Sequence, residues 1–261
     1  TLKKVSMKLS LARAVAISVA LTAFISAGCA HQERAFDFAL IGDMPYTKVQ
    51  ELEYQGVLKA LNAAELGFVV HVGDFQFDAR PYNQNPAIAV MPCVDENYKA
   101  VLDSFQSVRH AFILTPGDND WTDCWPLKAK QVDPLQLLAN LRTMFFPDGR
   151  SLGQRPIAVK NQSADAQFAK FLENLRWTMG GVTFVTLHIV GSNDNFGRTP
   201  QMDAEHVERK AANLRWMEQA FAEAKAANSK GLVIMMQANP GFENFWPAAA
   251  RTRYFIPFIP R

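Results

Sequence analysis

The chain has 261 residues, 49% of them hydrophobic and 20% charged, which suits one globular domain with a sizeable core. Its formal net charge of +2 comes from the first thirty residues, which hold Lys3, Lys4, Lys8 and Arg13 and no acid. Taking those four from 27 basic residues leaves 23 against 25 acidic ones in residues 31–261. The body of the chain thus lacks the basic excess that nucleic-acid binding needs.

Residues 7–30 read as an export signal: a basic start, an apolar run over 14–25, then Ser26-Ala27-Gly28-Cys29-Ala30. The competing reading is a short membrane anchor, for which the apolar run is short. Ala27-Gly28-Cys29 resembles a bacterial lipoprotein box, with Cys29 as the candidate for lipidation and membrane attachment and Ser26 where such a box carries an aliphatic residue. Ordinary cleavage after Ala30 stays open. The expected location is outside the cytoplasm: periplasmic, lipid-anchored or secreted. Residues 31–261 would then form a single domain. Its two cysteines, Cys93 and Cys124, are expected to pair as a disulfide in an oxidising compartment, two free thiols being the alternative.

In chain order, residues 36–41 form an apolar strand that runs into Gly42-Asp43-Met44-Pro45-Tyr46. Residues 47–65 have helical spacing of Val49, Leu52, Val57, Leu58 and Leu61, with Thr47 as N-cap. Residues 68–72 form a strand apolar on both faces, hence parallel and central, and it ends in Gly73-Asp74. A Pro/Asn-rich loop (80–92) and a helix (96–109) lead to a third strand over 110–115 and the loop Pro116-Gly117-Asp118-Asn119-Asp120. A helix over 133–145 precedes a Pro-, Gly- and Arg-rich stretch, 146–164, expected to be a surface excursion. A short helix over 165–174, strands 176–179 and 182–190 around a Gly180-Gly181 turn, an amphipathic helix over 203–228 and a strand over 231–236 complete the pattern. The order argues for α/β layers, with mixed sheets flanked by helices.

Three strands that each stop at Gly-Asp or Pro-Gly-Asp bring Asp43, Asp74 and Asp118 to the C-terminal ends of neighbouring strands. Carboxylates gathered there repel unless a divalent cation lies between them. Hard oxygen ligands suit Mg, Mn or Fe, and two cations sharing a carboxylate can drive phosphoryl hydrolysis. The plainer reading is three turn or helix-cap aspartates. Asp120 is read either as part of the catalytic loop or as a solvated loop residue. Asn119 is either a phosphate contact or a turn residue.

The ordered blocks resemble the calcineurin-like metallophosphoesterase superfamily, with its Asp-x-His, Gly-Asp-x-x-Asp, Gly-Asn-His-Asp/Glu, lone His and Gly-His-x-His motifs. The likeness runs over residues 36–240 and points to a divergent exported bacterial branch. Pro45 stands where the first block has His, Asp78 is displaced by one position, and Asn119 replaces the His of the third block. The strand of the lone His ends in Gln237-Ala238-Asn239-Pro240, so Gln237 or Asn239 takes that place. No His follows His206, and the C-terminal part of the domain is expected to be incomplete. The resemblance implies a metallophosphoesterase-like sandwich of mixed β-sheets flanked by helices. It also implies a site of, expectedly, two divalent cations (Mn, Fe, Zn or Mg), with Asp74 bridging and Asp43, Asp118 and Gln237 as further ligands. Asn119 and Asp120 would be the catalytic residues, and Asn119 and His188 would bind a phosphorylated small molecule or phosphodiester. An amide in place of the histidine can hydrogen-bond a phosphate oxygen but cannot act as an acid. The alternative is a non-catalytic exported or lipid-anchored binding protein that retains the fold with a degenerate metal site.

Among the remaining candidates, His188 reads as a substrate residue or as a satisfied sheet-end histidine, and His71 as structural. His110 and His206 are expected at the surface. Trp121 and Trp125 either stack on a substrate or pack the loop.

Overall fold

The structure is a computed structural model that describes residues 35–46, 48–75, 93, 95–124 and 133–240. The expected signal segment with Cys29, the expected N-cap Thr47, Asp78, the expected loop over 80–92, Trp125 and residues 241–261 lie outside the described residues. The described residues from Phe36 onward form one compact unit. No described helix is long and apolar enough to cross a membrane.

Three strands, β1 (Ala39–Ile41), β2 (Phe68–His71) and β3 (Ala111–Leu114), pair in parallel in the order β1-β2-β3. Val70 stands opposite Leu40 on one side and Ile113 on the other, so the three chain segments end level and their following loops meet. Every residue of β2 and β3 is buried, as their unbroken apolar runs require. A second sheet has the order β4-β5-β6-β7, from β4 (Lys160–Asn161), β5 (Leu175–Met179), β6 (Val182–Thr186) and β7 (Gly231–Met235). The β5–β6 hairpin turns at Gly180 (φ 58) and Gly181 (φ 76), the left-handed pair such a tight turn demands. β7 joins β6 in parallel, and that crossover needs the long helix between them.

The two sheets share a core. Phe68 of β2 packs edge-on against Trp177 of β5 at 5.2 Å and Phe184 of β6 at 4.9 Å between ring centroids. Burial of a side chain like Phe68 contributes about 1.5–3 kcal/mol. Helices α1 (Lys48–Ala63), α2 (Asp95–Gln106) and α3 (Pro134–Phe145) pack Tyr54, Leu58, Val101, Phe105, Leu141 and Phe145 onto the first sheet's side of this core. Helix α4 (Pro200–Ala226) buries Trp216 and Ala220 against Val185 of β6, the neighbour of Phe184 and therefore on the opposite face. The molecule is thus a mixed α/β protein of two sheets flanked by helices.

Several boundaries differ from the sequence expectation. Helix α4 starts at Pro200, three residues before Asp203, because Thr199 caps it by accepting from Met202 N at 3.2 Å and Pro200 suits the first turn. The expected helix over 165–174 is only a 3-10 turn, Ala166–Phe168, capped by Asp165. Phe168 and Phe171 are buried three residues apart, the spacing a 3-10 turn presents on one face. The stretch 146–164 is not a surface excursion. Leu152 and Phe112 exchange backbone hydrogen bonds at 2.8 and 2.9 Å, so the segment lies along β3, and it goes on to form β4. The strand expected to reach Val190 ends at Thr186.

Candidate functional site

The loops after β2 and β3 touch. Gly73 has φ +89, and a Cβ on it would run into the backbone of Gly117, while one on Gly117 would strike Asp74. Only two glycines allow these loops so close. That approach sets Asp74 beside Asp118. Asp120 fixes the arrangement: its Oδ2 accepts from Gly117 N at 2.8 Å and Asp74 N at 3.0 Å, and its Oδ1 from Phe75 N at 2.9 Å. Asp120 is fully buried. Burial raises its pKa to about 7, with the three N–H donors and then Asp118 as the next influences. The expectation of a solvated loop residue is therefore revised: Asp120 is buried, and with both its oxygens accepting from the backbone it braces the two loops.

Asp74, Asp118, Asn119 and Gln237 meet. Asn119 N donates to Asp74 Oδ1 and Asp118 Oδ1, both at 3.1 Å. Gln237, just past β7, donates its Nε2 to Asp74 Oδ2 at 3.0 Å and Asp118 Oδ1 at 3.2 Å, while its Oε1 accepts from Gly191 N at 2.8 Å. Burial and then the charges of Asp120 and Asp118 raise the Asp74 pKa to about 10. Burial and then Asp123 raise that of Asp118. No basic side chain figures among the main influences on either acid. Two neighbouring carboxylates offer hard oxygens of the kind that divalent cations favour, while Gln237 turns its NH2 rather than its oxygen toward them. Among the described residues, however, no group of three or more His, Cys, Asp or Glu is placed to hold a metal ion.

Asp43 is exposed at the end of β1 and accepts a hydrogen bond from Tyr46 Oη at 2.8 Å. Tyr46, which carried no assigned role in the sequence, lies within the field of Asp74, Asp43 and Asp120. Burial and these acids raise its pKa and keep the phenol protonated. The only sequence hint was an aromatic residue in the strand-end loop Gly-Asp-x-Pro-Tyr.

The loop after β6 closes the other side. Ser192, Asn193, Asp194 and Asn195 all have positive φ, between 50° and 68°. Asp43 (φ 58) and Asp74 (φ 59) share this strained region, and of the non-glycine residues in it only Asn228 lies elsewhere. The backbone strain of the described residues therefore gathers around the acids. Ser192 Oγ donates to Asp123 Oδ2 at 2.8 Å and is among the groups that lower the pKa of Asp118. Asn and Asp tolerate this region, but no motif announced four successive left-handed residues over 192–195.

His188 lies behind this loop and is fully buried. Its Nδ1 bonds Glu173 Oε1 at 2.8 Å, and Trp121, also fully buried, packs 5.5 Å from its ring. Burial opposes ionisation of Glu173, but Arg142 and His188 hold its pKa well below the usual range. Arg209, wholly buried in α4, pairs with Asp194 Oδ1 at 2.5 Å and Glu205 Oε1 at 2.7 Å and donates to His188 O at 2.8 Å. His206 belongs to the same network through Asp194, and His110 is buried against the carbonyls of Leu61 and Ala64. Both were expected at the surface. Each is 8% exposed or less because its ring has a main-chain partner. His71 is structural as expected: Gly73 N donates to its Nδ1 at 3.1 Å, and burial lowers its pKa to about 4.

The expected disulfide is present. Cys93 and Cys124, 31 positions apart, join the approach to α2 with the end of the 3-10 turn Thr122–Cys124 that follows the Asp118–Asp120 loop. No family model, characterised protein or solved structure matches the chain.

Proposed function

We propose that this protein is an exported, metal-dependent phosphoesterase-like hydrolase, a divergent member of the calcineurin-like metallophosphoesterase superfamily. The observation that carries the reading is the pair Asp74 and Asp118 at two parallel strand ends, the first buried and the second half-buried, with the amide groups of Gln237 and Asn119 donating to both. Asp74, Asp118 and Gln237 would hold one divalent cation, and Asp43 would supply a ligand to that ion or to a second. When bound, the cation supplies the charge that polarises a phosphoryl group and acidifies the attacking water. The chain's own part is to place it. Asp120 fixes the two loops, Gln237 and Asn119 N orient the carboxylates, and the amide of Asn119 would hydrogen-bond a phosphate oxygen without serving as an acid. The substrate class is a phosphorylated small molecule or a phosphodiester. The disulfide is in keeping with an oxidising location.

The second reading is a non-catalytic exported or lipid-anchored binding protein with a degenerate site. It is favoured by the lack, among the described residues, of a third His, Cys, Asp or Glu converging on the pair. One experiment separates the two: metal content of the purified protein by elemental mass spectrometry, with hydrolysis of generic mono- and diester substrates in added Mn. Bound metal with hydrolysis, both lost in Asp74→Asn, supports the enzyme. Bound metal without hydrolysis supports the binding protein, and no bound metal in any condition removes the cation-site reading.

A further inference from the structure

His188 and Trp121 are both fully buried, with ring centroids 5.5 Å apart. His188 Nδ1 lies 2.8 Å from Glu173 Oε1, and Arg142 grips the same carboxylate with two donors, at 2.6 and 2.9 Å. A carboxylate held ionised in this way only accepts, so Nδ1 carries the hydrogen and Nε2 of the neutral ring is a bare lone pair. Neither that Nε2 nor Trp121 Nε1 has a hydrogen-bond partner among the described residues. Trp121 also belongs to the loop of Asp118: its main-chain N–H donates to Asp118 O at 3.3 Å, and its carbonyl accepts from Cys124 N at 3.2 Å. The histidine ring therefore packs against the residue that links Asp118 to the 3-10 turn Thr122–Cys124.

The surroundings are unsuited to a second proton on this ring. The charged groups that face it are Glu173 before β5, Arg142 of α3, and Arg209 and Glu205 of α4. Arg142 engages Glu173, Arg209 engages Glu205 and Asp194, and His206 pairs with Asp194. A proton on Nε2 would create a buried N–H with no acceptor among the described residues, in a compartment that already holds two guanidinium groups. One of them, that of Arg209, stands 5.4 Å over the Trp121 ring. Burial lowers the His188 pKa against the pull of Glu173, and Arg209 and Arg142 add to the effect.

We propose that His188 is an acid-sensitive latch on the Asp118 loop. Neutral, it seats Trp121 and the turn that follows. Protonated at Nε2, the ring leaves its compartment for water, and the loop from Asp118 to Cys124 comes loose. A histidine whose folded pKa lies below its unfolded value contributes stability that is complete above the unfolded value and is lost as pH falls. Release therefore begins below the ordinary value of 6.5. The latch needs no bound cation.

The test is amide hydrogen exchange of the full chain in chelator between about pH 7.5 and about pH 5, each rate divided by that of the unstructured peptide at the same pH. The ring-nitrogen NMR signals of His188 are followed alongside. Opening over 118–124 is expected to increase about 30-fold across that range, the factor for a group that titrates at about 6.5 when open and stays neutral when closed. His188→Gln is expected to lose this pH dependence. In the wild type the ring is expected to be the Nδ1–H tautomer at neutral pH and to gain its proton only as protection is lost. Unchanged opening in the wild type, the same increase in His188→Gln, or a ring that is protonated while 118–124 stays protected overturns the latch. Where His188→Gln does not fold, the ring signals and exchange of the wild type decide by themselves.

Discussion

Asp74 and Asp118 are joined through a single side-chain nitrogen: Gln237 Nε2 reaches one carboxylate at 3.0 Å and the other at 3.2 Å. The contact satisfies the two acids only in part, as the raised pKa of each shows. A group whose folded pKa lies above its unfolded value contributes stability that is complete below the unfolded pKa and is lost as pH rises through the folded one. For Asp74 the window runs from its ordinary value of 3.8 up to about 10. The metal-free protein should therefore melt at progressively lower temperature from pH 5 to pH 9 (roughly the middle of that window), relative to Asp74→Asn under the same conditions. Melting curves of both proteins in chelator check this, and a parallel pH dependence in the two refutes it. Added Mn should flatten the wild-type curve.

Asp120 accepts three main-chain N–H groups while fully buried. Asp120→Ala leaves all three unpaired and should destabilise the fold by about 3 kcal/mol or more. Urea denaturation measures this. Asp120→Asn keeps one acceptor oxygen and should cost less.

Arg209 faces Asp194 and Glu205 from inside the protein. Replacing it with Met strands two buried carboxylates, an expected loss of about 3–5 kcal/mol. The same change should disturb the turn Gly191–Asp194, because Arg209 also bonds Asp194 O. Amide exchange at residues 191–195 in a variant that still folds would report that loosening.

The bridge between Cys93 and Cys124 closes a loop spanning 31 positions, for which the chain-entropy estimate is roughly 3–4 kcal/mol. Reduction should lower the melting temperature by that equivalent. Because the bridge ends four residues after Asp120, its reduction should weaken metal binding as well.

Much of the framework was legible from local signals. β2 and β3 announced themselves by unbroken apolar runs, and the glycine-aspartate stops after them marked where the acids would meet. Gln237 was legible only through its place in the order of strands. What could not be read depends on partners far away in sequence. Arg209 sits among charged residues in an amphipathic helix, and only the fold puts Asp194 and Glu205 around it. His110 and His206 looked like surface residues because a buried histidine needs just one carbonyl, which no motif displays. Asp120 was ambiguous for a related reason: its donors come from two loops 45 residues apart.

The distance along the chain between Asp74 and Gln237, 163 residues, also bears on how the site comes into being. During synthesis the two aspartates and their glycine hinges emerge from the ribosome long before the glutamine. Until β7 docks beside β6, the acidic pair lacks the amide that joins its two carboxylates.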